Sequence, residues 1–79
     1  MNSDHHEISE GLSFNEKLIK ILSHWEAHNA DHAKTYKMWA ERARTEDLTK
    51  AGELLEEAAE MTLRVNQKFT KAIEIVKNK

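Results

Sequence analysis

The sequence predicts an all-α protein: an antiparallel two-helix hairpin that pairs with a second copy of itself into a four-helix bundle. Three observations predict it. The 79 residues contain no proline and only two glycines beside abundant Ala, Glu, Lys and Leu, residue types that lose little on entering a helix. Apolar residues recur at alternating steps of four and three along both halves of the chain, and no stretch shows the strict alternation of a half-buried strand. A chain this short also buries too little apolar surface to be generously stable alone, which favours a partner copy.

From the N-terminus, residues 1–12 are polar, carry adjacent His5 and His6 and include Gly11, so they are expected to form a flexible tail ahead of the folded part. Ser13 and Glu16 have the spacing of a capping box and open a first helix over about residues 13–43. Its inward series is Phe14, Leu18, Leu22, Trp25, Asn29, His32, Tyr36, Trp39 and Ala43, which defines one helical face. The same steps relate Leu48, Ala51, Leu55, Ala58, Thr62, Val65, Phe69, Ala72 and Val76, giving a second helix over about residues 46–77.

Neither glycine nor proline marks the turn. Arg44 supplies a basic end to the first helix, and Thr45 is placed to cap a second one opening with Glu46 and Asp47, so the turn is expected near residues 43–47. Gly52 offers a rival boundary as a C-cap glycine, which would lengthen the first helix by about two turns. With so short a connection the helices lie antiparallel. Ile21, Leu54, Ile73 and Ile75 widen both stripes beyond a single seam, and a second hairpin would cover the excess. A domain of another protein on that face is the alternative.

Composition narrows the function. Twelve basic and 14 acidic residues, interspersed and netting −2, argue against nucleic acid as a partner. The absence of cysteine excludes disulfides and thiolate metal sites. No apolar run approaches a membrane span, and MNSDHHEISE lacks the charged start and apolar core of a signal peptide. The expected location is the cytoplasm, with no membrane partner.

The chemistry concentrates in HWEAHNADH, where His24, His28 and His32 follow one another at four-residue steps. Stepping about 100° per residue puts His32 near the middle of the inward series, His28 on its flank and His24 at the solvent boundary, with Asn29 inward. In a hairpin this level faces Ala58 to Thr62, with Asn66 about one turn away. Buried polar groups left unpaired cost roughly 1–3 kcal/mol each, so such a layer is either hydrogen-bonded or ligating. As a bonded layer it would fix register and oligomeric state, as a core asparagine does in a coiled coil. As a ligand set it would hold a divalent transition metal, because imidazoles at i and i+4 project from one helical face and can chelate one ion. His28 and His32 form the better pair, His24 is peripheral, and Asn29 and Thr62 would orient the rings. Neutral imidazole suits Zn, Ni, Co or Cu, and Ni, Co or Zn is the expected ion. Glu53, Glu56, Glu57 and Glu60 map to the outer face of the second helix as a solvated charged surface.

An enzyme is not expected. HWEAH has the HxxxH spacing of a zincin helix, but its acid, Glu26, falls one position late, and the chain has little room for a cleft and a third ligand. His6 and Glu10 have a spacing found in hemerythrin-like di-iron bundles, which draw their ligands from four helices. Nothing pairs a nucleophile with a base, and no glycine-rich loop could hold a phosphate.

The string GLSFNEKLIKILSHWEAHNADHAKTYKMWAERA, with His24, Trp25, His28, Asn29 and His32 forming HWxxHNxxH ahead of Tyr36 and Trp39, resembles a group of small uncharacterised prokaryotic helical domains. The resemblance covers residues 11–77 and leaves out His5 and His6. Such domains occur alone or attached to proteins of cobalt and nickel uptake. The resemblance therefore implies metal handling and a metal-transport or other protein partner.

Overall fold

The computed structural model describes residues 11–78, so His5, His6 and the His6/Glu10 spacing lie outside the described residues. Helix α1 spans Phe14–Thr45 and helix α2 spans Thr49–Lys77, and the two pack along their lengths as an antiparallel hairpin. Among the described residues there is no strand, and no helix is long and apolar enough to cross a membrane.

The start of α1 follows the capping-box reading. The Ser13 hydroxyl accepts from the Glu16 backbone N–H at 3.2 Å, and the Glu16 carboxylate accepts from the Ser13 N–H at 3.0 Å, so two otherwise orphaned donors are satisfied. The other end departs from expectation. Helix α1 continues to Thr45, whose hydroxyl donates back to the Arg42 carbonyl at 2.7 Å instead of capping α2. Glu46 and Asp47, expected in the first turn of α2, form the connection, and Leu48 precedes α2 without a side-chain cap. Asp47 sits at φ 65°; its N–H donates to Arg44 O at 3.1 Å while the Leu48 N–H donates to Ala43 O at 2.8 Å. Those two bonds make a Schellman ending, the left-handed position falling to an aspartate where glycine is usual. Hence no glycine marks the turn.

Gly52 is not a boundary. It lies buried in the first turn of α2, where an added Cβ would stand 2.9 Å from Ala40 O and 3.0 Å from Arg44 Cγ. Only a residue without a side chain allows the helices to approach this closely. Ala33 and Ala40 of α1 and Ala59 of α2 are the other small residues buried along the seam, joined by Leu22 and Ile73.

The seam is therefore rotated from the series that the sequence pattern picks out. On α1 it follows Leu22, Glu26, Asn29, Ala33 and Ala40, and on α2 Gly52, Ala59, Asn66 and Ile73. Trp25 and Trp39 remain 43% and 48% exposed, and Val65 44%. Both large-residue stripes run along one side of the seam. At about 100° per residue, decreasing helical angle leads to the same face of the hairpin from either helix, because the helices are antiparallel. The Trp25 and Phe69 rings, 5.6 Å apart between centroids, meet there. Phe14, Trp25 and Trp39 from α1 and Leu54, Met61 and Val65 from α2, all exposed, give this face a broad apolar surface. The opposite face carries a shallow depression lined by Ala30, Ala33, Lys34, Lys37 and Leu63.

Candidate functional site

The polar residues at mid-hairpin divide into two groups. The first lies in the seam. Asn29 Nδ2 donates to Asn66 Oδ1 at 3.1 Å, and Asn66 Nδ2 donates to the Glu26 backbone carbonyl at 2.9 Å. Glu26 is itself half-buried, and its carboxylate accepts from the Thr70 hydroxyl. Asn66 thus bridges a side chain and a backbone carbonyl of the facing helix, which ties α1 to α2 at one register. No buried side-chain nitrogen or oxygen among the described residues lacks a partner.

The histidines form the second group and do not lie in the seam. His24, His28 and His32 are all exposed in the hairpin, which overturns the expectation that His32 and His28 point between the two helices. The physical reason is the rotation of the seam: when Ala33 and Asn29 face α2, a residue one position earlier than Ala33 turns onto the apolar face. His28 and His32 lie there with Trp25 and Trp39, at the level of Val65 and Met61, whereas His24 points farther from the seam. Neither Asn29 nor Thr62 orients an imidazole. Asn29 bonds Asn66, and the Thr62 hydroxyl donates to its own helix at Ala58 O, 2.8 Å away.

The helix does bring the imidazoles together. His28 Nε2 and His32 Nε2 stand 3.0 Å apart, with ring centroids at 4.5 Å and the planes crossing at 74°. One nitrogen donates and the other accepts, as the tautomers decide. With metal–nitrogen bonds of about 2.0–2.1 Å, the same separation would close an angle of about 95° at a shared ion, close to octahedral and narrower than tetrahedral. His32 is held from the far side by Tyr36, the rings stacking at 5.9 Å. His24 stacks on His28 with centroids 6.2 Å apart, a flanking position. Among the described residues no group of three or more His, Cys, Asp or Glu side chains could hold an ion; the arrangement there is two imidazole nitrogens brought together by one helical turn.

Sequence reasoning missed three features. Glu26 is an inward carboxylate, detectable only by following Leu22, Glu26, Asn29 and Ala33 at steps of four, three and four. Asn66 is a full member of the seam instead of a flanking residue. Glu56 faces α1 and pairs with Arg44, which also bonds Glu41 at 2.9 Å. The Glu56 hydrogen bond is the chief reason that Arg44 holds its proton even more tightly than an ordinary arginine. This contribution is present below the ordinary arginine range and is lost only as pH rises past it, so Arg44 stays charged at any physiological pH.

No curated protein and no solved structure matches the chain. A family model matches residues 18–76, a span that includes the seam asparagines and all three histidines of the first helix. The chain belongs to the family described as a domain of unknown function, DUF8180.

Proposed function

We propose that this chain is a self-associating helical hairpin that binds a divalent transition metal ion, Ni, Co or Zn, through His28 and His32, with His24 at the periphery. One observation carries the reading: two imidazole nitrogens, 3.0 Å apart on one helical face, at a separation one ion can bridge. The likeness of HWxxHNxxH to domains attached to cobalt and nickel uptake proteins points the same way, and makes a metal-transport protein the partner class this reading favours. Binding rather than turnover is the role: the two nitrogens supply a chelate, with no nucleophile and base paired beside it among the described residues. The reading assigns the protein to the cytoplasm, where ions delivered by uptake systems arrive. Its oligomer is a dimer in a four-helix bundle, which would cover the apolar residues that a lone hairpin leaves in water.

The test is titration of metal-free protein with Ni, Co and Zn, following the histidine ring resonances. Shifts or broadening confined to His28 and His32, with smaller changes at His24, support the chelate. Unmoved His28 and His32 signals with all three ions would end it.

A structural or protein-interaction module is the second reading, and the Asn29/Asn66/Glu26 layer favours it, since a bonded polar layer in the seam is a register device. Under that reading the two histidines make only a local i,i+4 hydrogen bond, and the aromatic face with Trp25 and Trp39 is an attachment surface.

A further inference from the structure

We infer, resting on the chelate proposed above, that the ion is shared: a second copy of this chain covers the apolar face, and its own His28 and His32 complete the coordination sphere. One ion then serves two chains. The described residues supply an incomplete site, since two imidazoles are half of a tetrahedral set and fewer than half of an octahedral one, and no third ligand stands beside them among those residues.

The placement of the pair argues for the second copy. His28 and His32 lie on the same face as Trp25, Trp39, Met61 and Val65, whose exposures run from 43% to 62%. That face is about 45 Å long and about 18 Å across, from helix rise and interaxial spacing, a footprint of about 800 Å², which is what each partner contributes to a standard-size stable interface. The centre of the face is free of charged side chains. Lys17 and Arg42 flank it on α1, and Lys50, Arg64 and Lys68 flank it on α2 with the acidic Glu57 among them, an apolar middle inside a polar, mostly basic rim. The single hairpin has a thin core: among the described residues, Leu22 and Ile73 are the only large side chains in the buried apolar set, the rest being alanine.

Symmetry decides where the histidines meet. A face can stack on its own copy by a two-fold axis along the helices or by one across them. An axis along the helices sets every residue level with its counterpart. An axis across them sets only the middle of each helix level with itself. Helix α1 runs from 14 to 45, so its midpoint falls at the Asn29/Ala30 step, which His28 and His32 straddle. Helix α2 runs from 49 to 77, and Met61 and Val65 straddle its midpoint. Both stackings set the two histidine pairs at one level, but only the axis across the helices lays α1 on its own copy, so that stacking brings the pairs face to face with Met61 and Val65 beside them.

The experiment is calorimetric titration of metal-free full-length chain with ZnCl2 and with NiCl2, paired with sedimentation velocity on the same samples. Sharing predicts one ion per two chains, a dimer mass, and dimerisation at least tenfold tighter with metal present. His28→Ala and His32→Ala should remove the metal effect on dimerisation. Val65→Glu, at a position already half exposed in the hairpin, should keep helical circular dichroism, yield a monomer and weaken ion binding about a hundredfold. One ion per chain on a monomer, or two ions per dimer, overturns sharing and leaves the chelate standing. No binding of either ion overturns both readings at once.

Discussion

Asn29 and His28 are neighbours in α1, and they face different surroundings. Asn29 turns into the seam and meets Asn66 of α2 at 3.1 Å. His28 turns onto the open face and meets His32 of its own helix at 3.0 Å. The seam bond joins residues far apart in sequence and reports the fold; the face bond joins residues one turn apart and would form in any straight helix carrying this string. A polar group in the seam is bound to the packing of the hairpin, and one on the face is free to serve a ligand. Side-chain size follows the same division. From the turn to the amide pair the seam is narrow and lined by glycine and alanine, with Leu22 and Ile73 at its far end, while the bulk of Trp25, Trp39, Met61 and Phe14 is left outside it.

The largest effect is expected where the seam is tightest. Gly52→Leu places a side chain against Ala40 O, already 2.9 Å from where a Cβ would sit, and should cost about 3 kcal/mol or more through overpacking and helix separation. Thermal melting followed by circular dichroism measures it. Gly52→Ala is the sharper version: alanine is worth about 1 kcal/mol over glycine in a helix interior, so a melting temperature that falls shows contact with the facing backbone outweighing propensity. Ala51→Leu, one residue away and exposed, should change stability by less than about 0.5 kcal/mol. Equal effects at 51 and 52 would remove the distinction between seam and face.

The polar layer comes next. Asn66→Ala strips a partner from Asn29 and from the Glu26 carbonyl together and should destabilise by about 1–3 kcal/mol, the range for part-buried groups left without partners. A cycle with Asn29→Ala should return a coupling of about 0.5–1.5 kcal/mol. Additive single effects would show that the amide pair does not hold the two helices in register.

The hairpin is legible in the sequence because Ser13 and Glu16, the missing prolines and the four-three steps all act within a helix. The seam is less legible because it is chosen between helices. Hydrophobic periodicity weights large residues, so it selects Trp25, Tyr36 and Trp39, whereas close approach selects Ala33, Ala40, Gly52 and Ala59, which contribute little to any apolar count. Both stripes were thereby displaced to the same side, and His32 moved with them from the interior to the face. The four-residue spacing of the histidines was readable all the same, since it depends on one helix alone. The turn shows a different limit: a left-handed aspartate leaves no composition mark. Asp47→Gly should relieve that backbone and raise stability by about 0.5–1 kcal/mol, measured as a higher denaturation midpoint; a lower midpoint would mean that the aspartate side chain supports the turn.

The smallest expected effect on stability is at the histidines, and its smallness is informative. In metal-free protein His28→Ala should stay within about 0.5 kcal/mol of the parent, because it removes an exposed side chain and a bond within a single helix. His32→Leu should do the same or raise the melting temperature, by replacing an exposed imidazole with an apolar group on an apolar face. Both should abolish the response expected of the parent to added Ni or Zn, a melting temperature raised by mass action on the folded state. If instead His32→Leu changed the oligomeric state of metal-free protein as strongly as Asn66→Ala changed its stability, the imidazoles would be specifying assembly directly, and the division between a seam that holds the fold and a face that holds the ion would fail.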